Sequence, residues 1–114
     1  MIARGDIFWV DLGTPRGSEP ALLRPAVVVQ EDWLNASDIA TVVIVPLTSD
    51  LRLGVFPGNV VVPAAAAGLE RDSVAVVSQV GPVSREYLEP HPVGHLPRHA
   101  MDGIATGIRL VLGV

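Results

Sequence analysis

LLRPAVVVQ, residues Leu22–Gln30, sets a single cation, Arg24, against Pro25 at the mouth of an apolar run. Proline fixes its own φ and drives the preceding residue toward extended backbone, so Arg24 stands on a rigid, defined turn. The run that follows is apolar without alternation. That is the pattern of a central strand covered on both faces, and Pro25–Gln30 is read as one.

Working outward, GDIFWVDL at Gly5–Leu12 alternates, with Ile7 and Trp9 on one side and Phe8, Val10 and Leu12 on the other, and reads as the first strand. Between the two lies Gly13–Leu23, a long loop of turn-forming residues that includes Ser18 and Glu19. Loops of this length in compact domains are commonly functional or mobile. Glu31–Ala40 reads as an irregular connection that returns Trp33 to the core. Thr41–Thr48, TVVIVPLT, is the third strand, and Pro46, unable to donate a ladder hydrogen bond, is expected to mark an edge or a bulge.

Further on, Ser49–Pro57 is a second exposed loop, Val60–Val62 a short strand, and Pro63–Asp72 a helical turn that Gly68 ends. Ser73–Val80 reads as a fifth strand closed by Gly81-Pro82, after which Ser84 offers an N-cap for a short turn. From Pro97 the period changes: Met101, Ile104, Ala105, Ile108 and Leu112 recur at helical spacing. Gly103 and Gly107 weaken that helix by about 1 kcal/mol each, so packing must hold it. The expected fold is mainly β (α+β): a small curled antiparallel sheet close to an SH3-like β-barrel, with short helices and a C-terminal helix.

Composition agrees. Of the 114 residues, 49% are hydrophobic and 4% aromatic, which suits one domain, 1–114, with an aliphatic, valine-rich core. The absence of cysteine excludes disulfides, thiolate nucleophiles and cysteine-bound zinc, and fits a reducing cytosol. No apolar run approaches the roughly 20 residues of a membrane span, and residues 1–20 lack the apolar stretch of a signal peptide. A soluble cytoplasmic protein without membrane contact is expected. The net charge is −4, and all 8 fixed cations are arginines. An acidic chain has no global attraction for nucleic acid, so phosphate must be met by a local cluster, a task suited to the planar, permanently charged guanidinium.

Three places could carry chemistry: Arg24, Thr48 and the Ser18-Glu19 pair. If the strands that Arg24 opens and Thr48 ends pair antiparallel, the guanidinium and the hydroxyl meet at one end of the sheet. Such a pair suits a phosphate, the arginine stabilising charge while the threonine donates a hydrogen bond. The bland alternatives are a turn arginine and a hydroxyl that caps backbone. His91, His95 and His99 have metal-ligand spacing on a helix, but Pro92 and Pro97 interrupt it, so solvated histidines and no metal site are expected. Glu70–Ser73 reads as a local ion-pair and capping turn. Neither a glycine-rich phosphate loop nor a GxSxG elbow is present.

Taken together, RGDIFWVDL (Arg4–Leu12), GSE (Gly17–Glu19), RPAVVVQ (Arg24–Gln30), PLTS (Pro46–Ser49), PGNVVVP (Pro57–Pro63), LERDSV (Leu69–Val74) and SQV (Ser78–Val80) resemble the MazF/PemK family of toxin endoribonucleases. The resemblance implies a homodimeric, sequence-specific enzyme that cleaves single-stranded RNA, such as mRNA, without metal or cofactor. The ribose 2′-hydroxyl attacks the adjacent phosphate and leaves a 2′,3′-cyclic phosphate or a 3′-phosphate, together with a 5′-hydroxyl. Arg24 and Thr48 fall on the family's catalytic arginine and threonine. Ser18, Glu19, Ser49 and Gln79 are implied RNA contacts at the two loops bordering the groove, where splayed bases can be read by their edges. A MazE-like antitoxin is implied to place an acidic, extended tail in the same groove. An alternative on the same fold is a non-enzymatic toxin that binds a protein, as the CcdB gyrase inhibitors do; an inactive RNA-binding or antitoxin-binding relic is a third reading.

Overall fold

The computed structural model describes residues 1–14, 17 and 22–114. Its centre is three antiparallel strands: β1 (Asp6–Asp11), β2 (Leu23–Val28) and β3 (Thr41–Thr48). β1 meets β2 with Ile7 opposite Val27 and Trp9 opposite Pro25, and β2 meets β3 with Ala26 opposite Pro46. Alternation along each strand divides its side chains between two cores. Ile7, Val27, Val45 and Leu47 enter one, while Phe8, Val10, Ala26, Val28, Val42 and Ile44 enter the other. The unalternating Ala26–Val29 run is buried throughout because both faces of the sheet are covered there. Each buried valine contributes about 1.5–3 kcal/mol relative to exposure.

Around this centre lie α1 (Asp32–Asn35), β4 (Val60–Val62), α2 (Ala64–Ala67), β5 (Ser73–Ala75), β6 (Gly81–Ser84), β7 (Gly94–His95) and α3 (Arg98–Leu112). The strand order is β4-β5-β3-β2-β1-β7, with β6 also on β3. β3 serves two partners along one side: residues 41–44 pair with β6, and Leu47 and Thr48 pair with β5. This curls the sheet into the expected SH3-like barrel, with α3 covering the first core through Met101 and Ile104.

Glycine permits two backbone-to-backbone contacts. α2 ends at Gly68 in the left-handed region, φ 70°, and a Cβ there would collide with the Val93 carbonyl; one at Gly94 would collide with the carbonyl of Ala67. α2 and β7 therefore interlock. Gly107 of α3 lies likewise on the carbonyl of Gly58, so a position that lowers helix propensity is the one that lets the helix dock.

Several expectations need correction. Trp33 is 72% exposed and does not return to the core. The buried place is taken by Asn35 and Gln30, whose amides exchange hydrogen bonds: Gln30 Nε2 donates to Asn35 Oδ1 at 3.0 Å, and Asn35 Nδ2 to the Gln30 carbonyl at 3.0 Å. Pro46 sits in the most central strand rather than at an edge. It occupies the gap where β3 changes partner from β6 to β5, and its carbonyl accepts from Val76 N at 3.0 Å.

The expected strand Ser73–Val80 stops at Ala75, and Val77–Gln79 forms a 3-10 turn. There the Asn59 side chain takes the Val77 N–H at 3.1 Å, out of any ladder, and the chain re-enters as β6 from Gly81, where a closing turn was expected. Ser84 precedes the 3-10 turn Arg85–Tyr87 without a side-chain capping bond. In α3, Leu112 has the right spacing but is 57% exposed, since the helix's packing on the first core ends at Ile108.

Candidate active site

The β2–β3 register, continued two residues beyond the Ala26–Pro46 pair, sets Arg24 opposite Thr48. On its other side Arg24 faces Val10, and Pro25 faces Trp9. Both residues line a cleft of about 620 Å³ at this end of the sheet, together with Trp9, Leu22, Leu23, Ser49, Glu70, Arg71 and Ser73. The walls come from distant parts of the chain because Thr48 pairs with Val74 of β5, which draws the turn before β5 alongside.

Thr48 ends β3 in a tight turn whose Asp50 N–H donates to Thr48 Oγ1 at 3.2 Å. With one of its two lone pairs engaged, the hydroxyl still has its proton to offer the cleft. The turn is itself fixed. Asp50 Oδ1 accepts from Arg52 N at 3.2 Å and Arg52 Nε at 2.9 Å, and Oδ2 accepts from Nη2 at 2.9 Å. The side-chain hydrogen bond with Arg52, followed by the Arg52 backbone N–H, holds the Asp50 carboxyl below its ordinary pKa, and the same bond raises that of Arg52.

Across the cleft, Leu22 is the one non-glycine residue at positive φ, 62°, among the described residues. Such a backbone costs about 1–2 kcal/mol. It is held by two bonds that close the hairpin: Leu22 N donates to the Gly13 carbonyl at 2.7 Å, and Leu12 N to the Leu22 carbonyl at 2.9 Å.

The remaining candidates divide. Ser49 is exposed and lines the cleft. Gln79, half-buried on the 3-10 turn Val77–Gln79, is not among the lining residues. Ser18 and Glu19 lie outside the described residues. No group of three or more histidines, aspartates or glutamates gathers where it could hold a metal ion among the described residues. His95 instead pairs through Nδ1 with Asp6 Oδ1 at 2.8 Å. The expected cap at Glu70–Ser73 is present in part, since Asp72 Oδ1 accepts from Ala64 N at 2.8 Å. The sequence gives Trp9 no place in the site, puts Leu22 and Leu23 only in a loop implied to border it, and reads Glu70 and Arg71 as a local ion-pair and capping turn. For Trp9 a signal existed, its position opposite the Pro25 mount; for Glu70 and Arg71 none did, because the Thr48–Val74 pairing has no local signature.

A family model described as PemK-like, MazF-like toxin of type II toxin-antitoxin system matches residues 3–112. The Endoribonuclease MazF6 of Mycobacterium tuberculosis is 42% identical over 112 residues, 98% of this chain and 97% of that protein. Endoribonuclease EndoA of Bacillus subtilis is 28% identical, covering 100% of this chain and 97% of its own length. Among solved structures, an endoribonuclease in complex with its cognate antitoxin from a mycobacterial species superposes with TM-score 0.79 at 23% identity, over 100% of this chain and 97% of the other. MazF from Deinococcus radiodurans superposes with TM-score 0.83 at 18% identity, over 99% and 97%. At those identities the structures speak for the shared fold, whereas the family model and the mycobacterial relative span nearly every residue of the chain. On that ground the chain belongs to the PemK-like, MazF-like toxins of type II toxin–antitoxin systems.

Proposed function

We propose that this toxin is a sequence-specific endoribonuclease that cuts single-stranded RNA, mRNA included, without a metal ion. The observation that carries the reading is the register setting Arg24 opposite Thr48 within one cleft. A ribose 2′-oxygen attacks the adjacent phosphorus and the bond to the 5′-oxygen breaks. The 2′-proton is lost and the 5′-oxygen gains one, leaving a 2′,3′-cyclic phosphate, which water can open to a 3′-phosphate, and a 5′-hydroxyl. The nucleophile belongs to the substrate, so the reaction needs no metal-activated water. What the protein supplies is orientation and charge: the Arg24 guanidinium faces the non-bridging oxygens, where negative charge grows, and Thr48 donates its proton to one of them.

Ser49 is assigned to the RNA strand leaving the cleft, and Ser18, Glu19 and Gln79 to base edges. Neutralisation by a MazE-like antitoxin is supported by the mycobacterial relative solved with its cognate antitoxin; an acidic segment would compete with RNA for the cleft arginines. A homodimer is supported by Val55, Phe56 and Val61, apolar side chains each more than half exposed. No helix among the described residues is long and apolar enough to cross a membrane, and the cytosol, where mRNA is met, is the proposed compartment.

The test is product mapping on a long RNA. Cleavage should persist in chelator, stop when the nucleotide 5′ to the cut is 2′-deoxy, and fall by about 10²–10³-fold in Arg24→Ala. Full cleavage by Arg24→Ala would defeat the reading, as would inhibition of gyrase without any RNA cut.

A further inference from the structure

We propose that Arg71 is a second phosphate clamp, which holds the phosphate next to the scissile one on an RNA strand threaded through the cleft. The inference rests on the ribonuclease reading and extends it to a residue on a different wall.

An acidic chain without lysine must find its phosphate contacts among few arginines, and most are engaged elsewhere or stand apart. Arg4 donates through Nη1 to the Val29 carbonyl, Arg52 is bound to Asp50, and Arg85 donates through Nη2 to the Leu34 carbonyl at 3.2 Å. Arg98 and Arg109 stand on α3, outside the cleft. Arg71 lines the cleft with Arg24, and no hydrogen bond or ion pair occupies it among the described residues. A cleft of about 620 Å³ has room for more than the reacting phosphate.

The mount is suited to a clamp. Gly68 in the left-handed region ends α2, Leu69 N donates to the Ala64 carbonyl at 3.1 Å, and Asp72 ties the turn to Ala64 N. On the far side Ser73 is 3% exposed and enters β5 opposite Val62. The backbone under Arg71 is thus fixed at both ends while its side chain is exposed to the cleft, so the cation is in place before the strand arrives. Arg24 and Arg71 differ in task. Arg24 shares its end of the sheet with Thr48 and acts on the phosphate that changes charge, whereas Arg71 meets one that does not react. Its effect should fall on binding.

The experiment compares wild-type protein, Arg71→Gln, Arg71→Lys and Arg24→Ala on a single-stranded oligoribonucleotide, over a range of salt. Arg71→Gln should raise KM by about tenfold, the loss of one charge-assisted contact, with the change in kcat small beside it. It should also reduce the slope of log binding against log salt by about 0.7, one phosphate's share for a single strand. Arg71→Lys should recover much of both. Making the phosphate beside the cut a neutral methylphosphonate should reproduce the KM and salt effects in wild type and add nothing in Arg71→Gln. A KM and salt slope unchanged in Arg71→Gln, or an additive methylphosphonate effect, overturns the proposal.

Fluorescence anisotropy with a labelled, uncleavable single-stranded DNA of mixed sequence, run on the same proteins, reads the contact without the reaction. If wild type binds but cuts no RNA, the ribonuclease reading fails while a reduced slope in Arg71→Gln still supports the clamp. If wild type and Arg71→Gln bind with equal affinity and slope, the clamp fails whatever the cleavage assay gives.

Discussion

The two ends of the β1–β2 hairpin carry similar residue types and treat them differently. Where β1 begins, Asp6 is 8% exposed and engaged through both oxygens: Oδ2 accepts from Ala3 N at 3.0 Å and Oδ1 pairs with His95, while neighbouring Arg4 donates to the Val29 carbonyl. Where β1 ends, Arg24, Thr48 and Arg71 line an open cleft. At the first end the side chains bind the protein's own backbone and tie elements together; at the second they line a cavity wall as well. The same contrast separates stability from activity, and substitutions at the two ends should dissociate them.

The largest expected effect is Arg24→Ala, about 10²–10³-fold in cleavage with the thermal midpoint nearly unchanged; a comparable loss of stability would collapse the distinction. Next is Asp6→Ala at the opposite end. Removing the acceptor of two bonds should cost about 2 kcal/mol in a denaturant titration and leave cleavage within about twofold well below the midpoint. Leu22→Gly should relieve the left-handed strain at the cleft and stabilise by about 0.5–1 kcal/mol in a denaturant titration, after the added chain entropy of glycine. A destabilised variant would show that the strain is not there.

Smallest is a pH effect shared by both ends. Asp32, through the backbone N–H of Arg4 and the Asn35 amide, and Asp50, through Arg52, are both held below the ordinary 3.8. A depressed carboxyl stabilises the fold above 3.8 and loses that contribution as pH falls through its lowered folded value. The midpoint difference between wild type and Asp32→Asn should therefore shrink as pH drops below 3.8. A difference independent of pH would assign the effect to packing.

Much of the framework was legible because it is written locally. Thr41–Thr48 has the bounds expected of it, the unalternating Ala26–Val29 run is covered on both faces, and the meeting of Arg24 with Thr48 follows once two neighbouring strands pair antiparallel. What was illegible depends on partners remote in the chain. Trp33 lost its expected place to a reciprocal pair of amides, and the break after Ala75 depends on the Asn59 side chain reaching Val77. Arg71 joins the site only because β5 pairs with the last residue of β3. Gly107 reads as a weakness along the helix and becomes a contact only when Gly58 lies against it.

The interlocked carbonyls at Gly68 and Gly94 bear on how the cleft can move. Gly68 belongs to the wall that carries Arg71, and β7, against which it is seated, is paired to β1. That wall cannot swing outward as a door without prising an edge strand from the sheet. The turn beneath Arg71 is thereby held in place relative to β1.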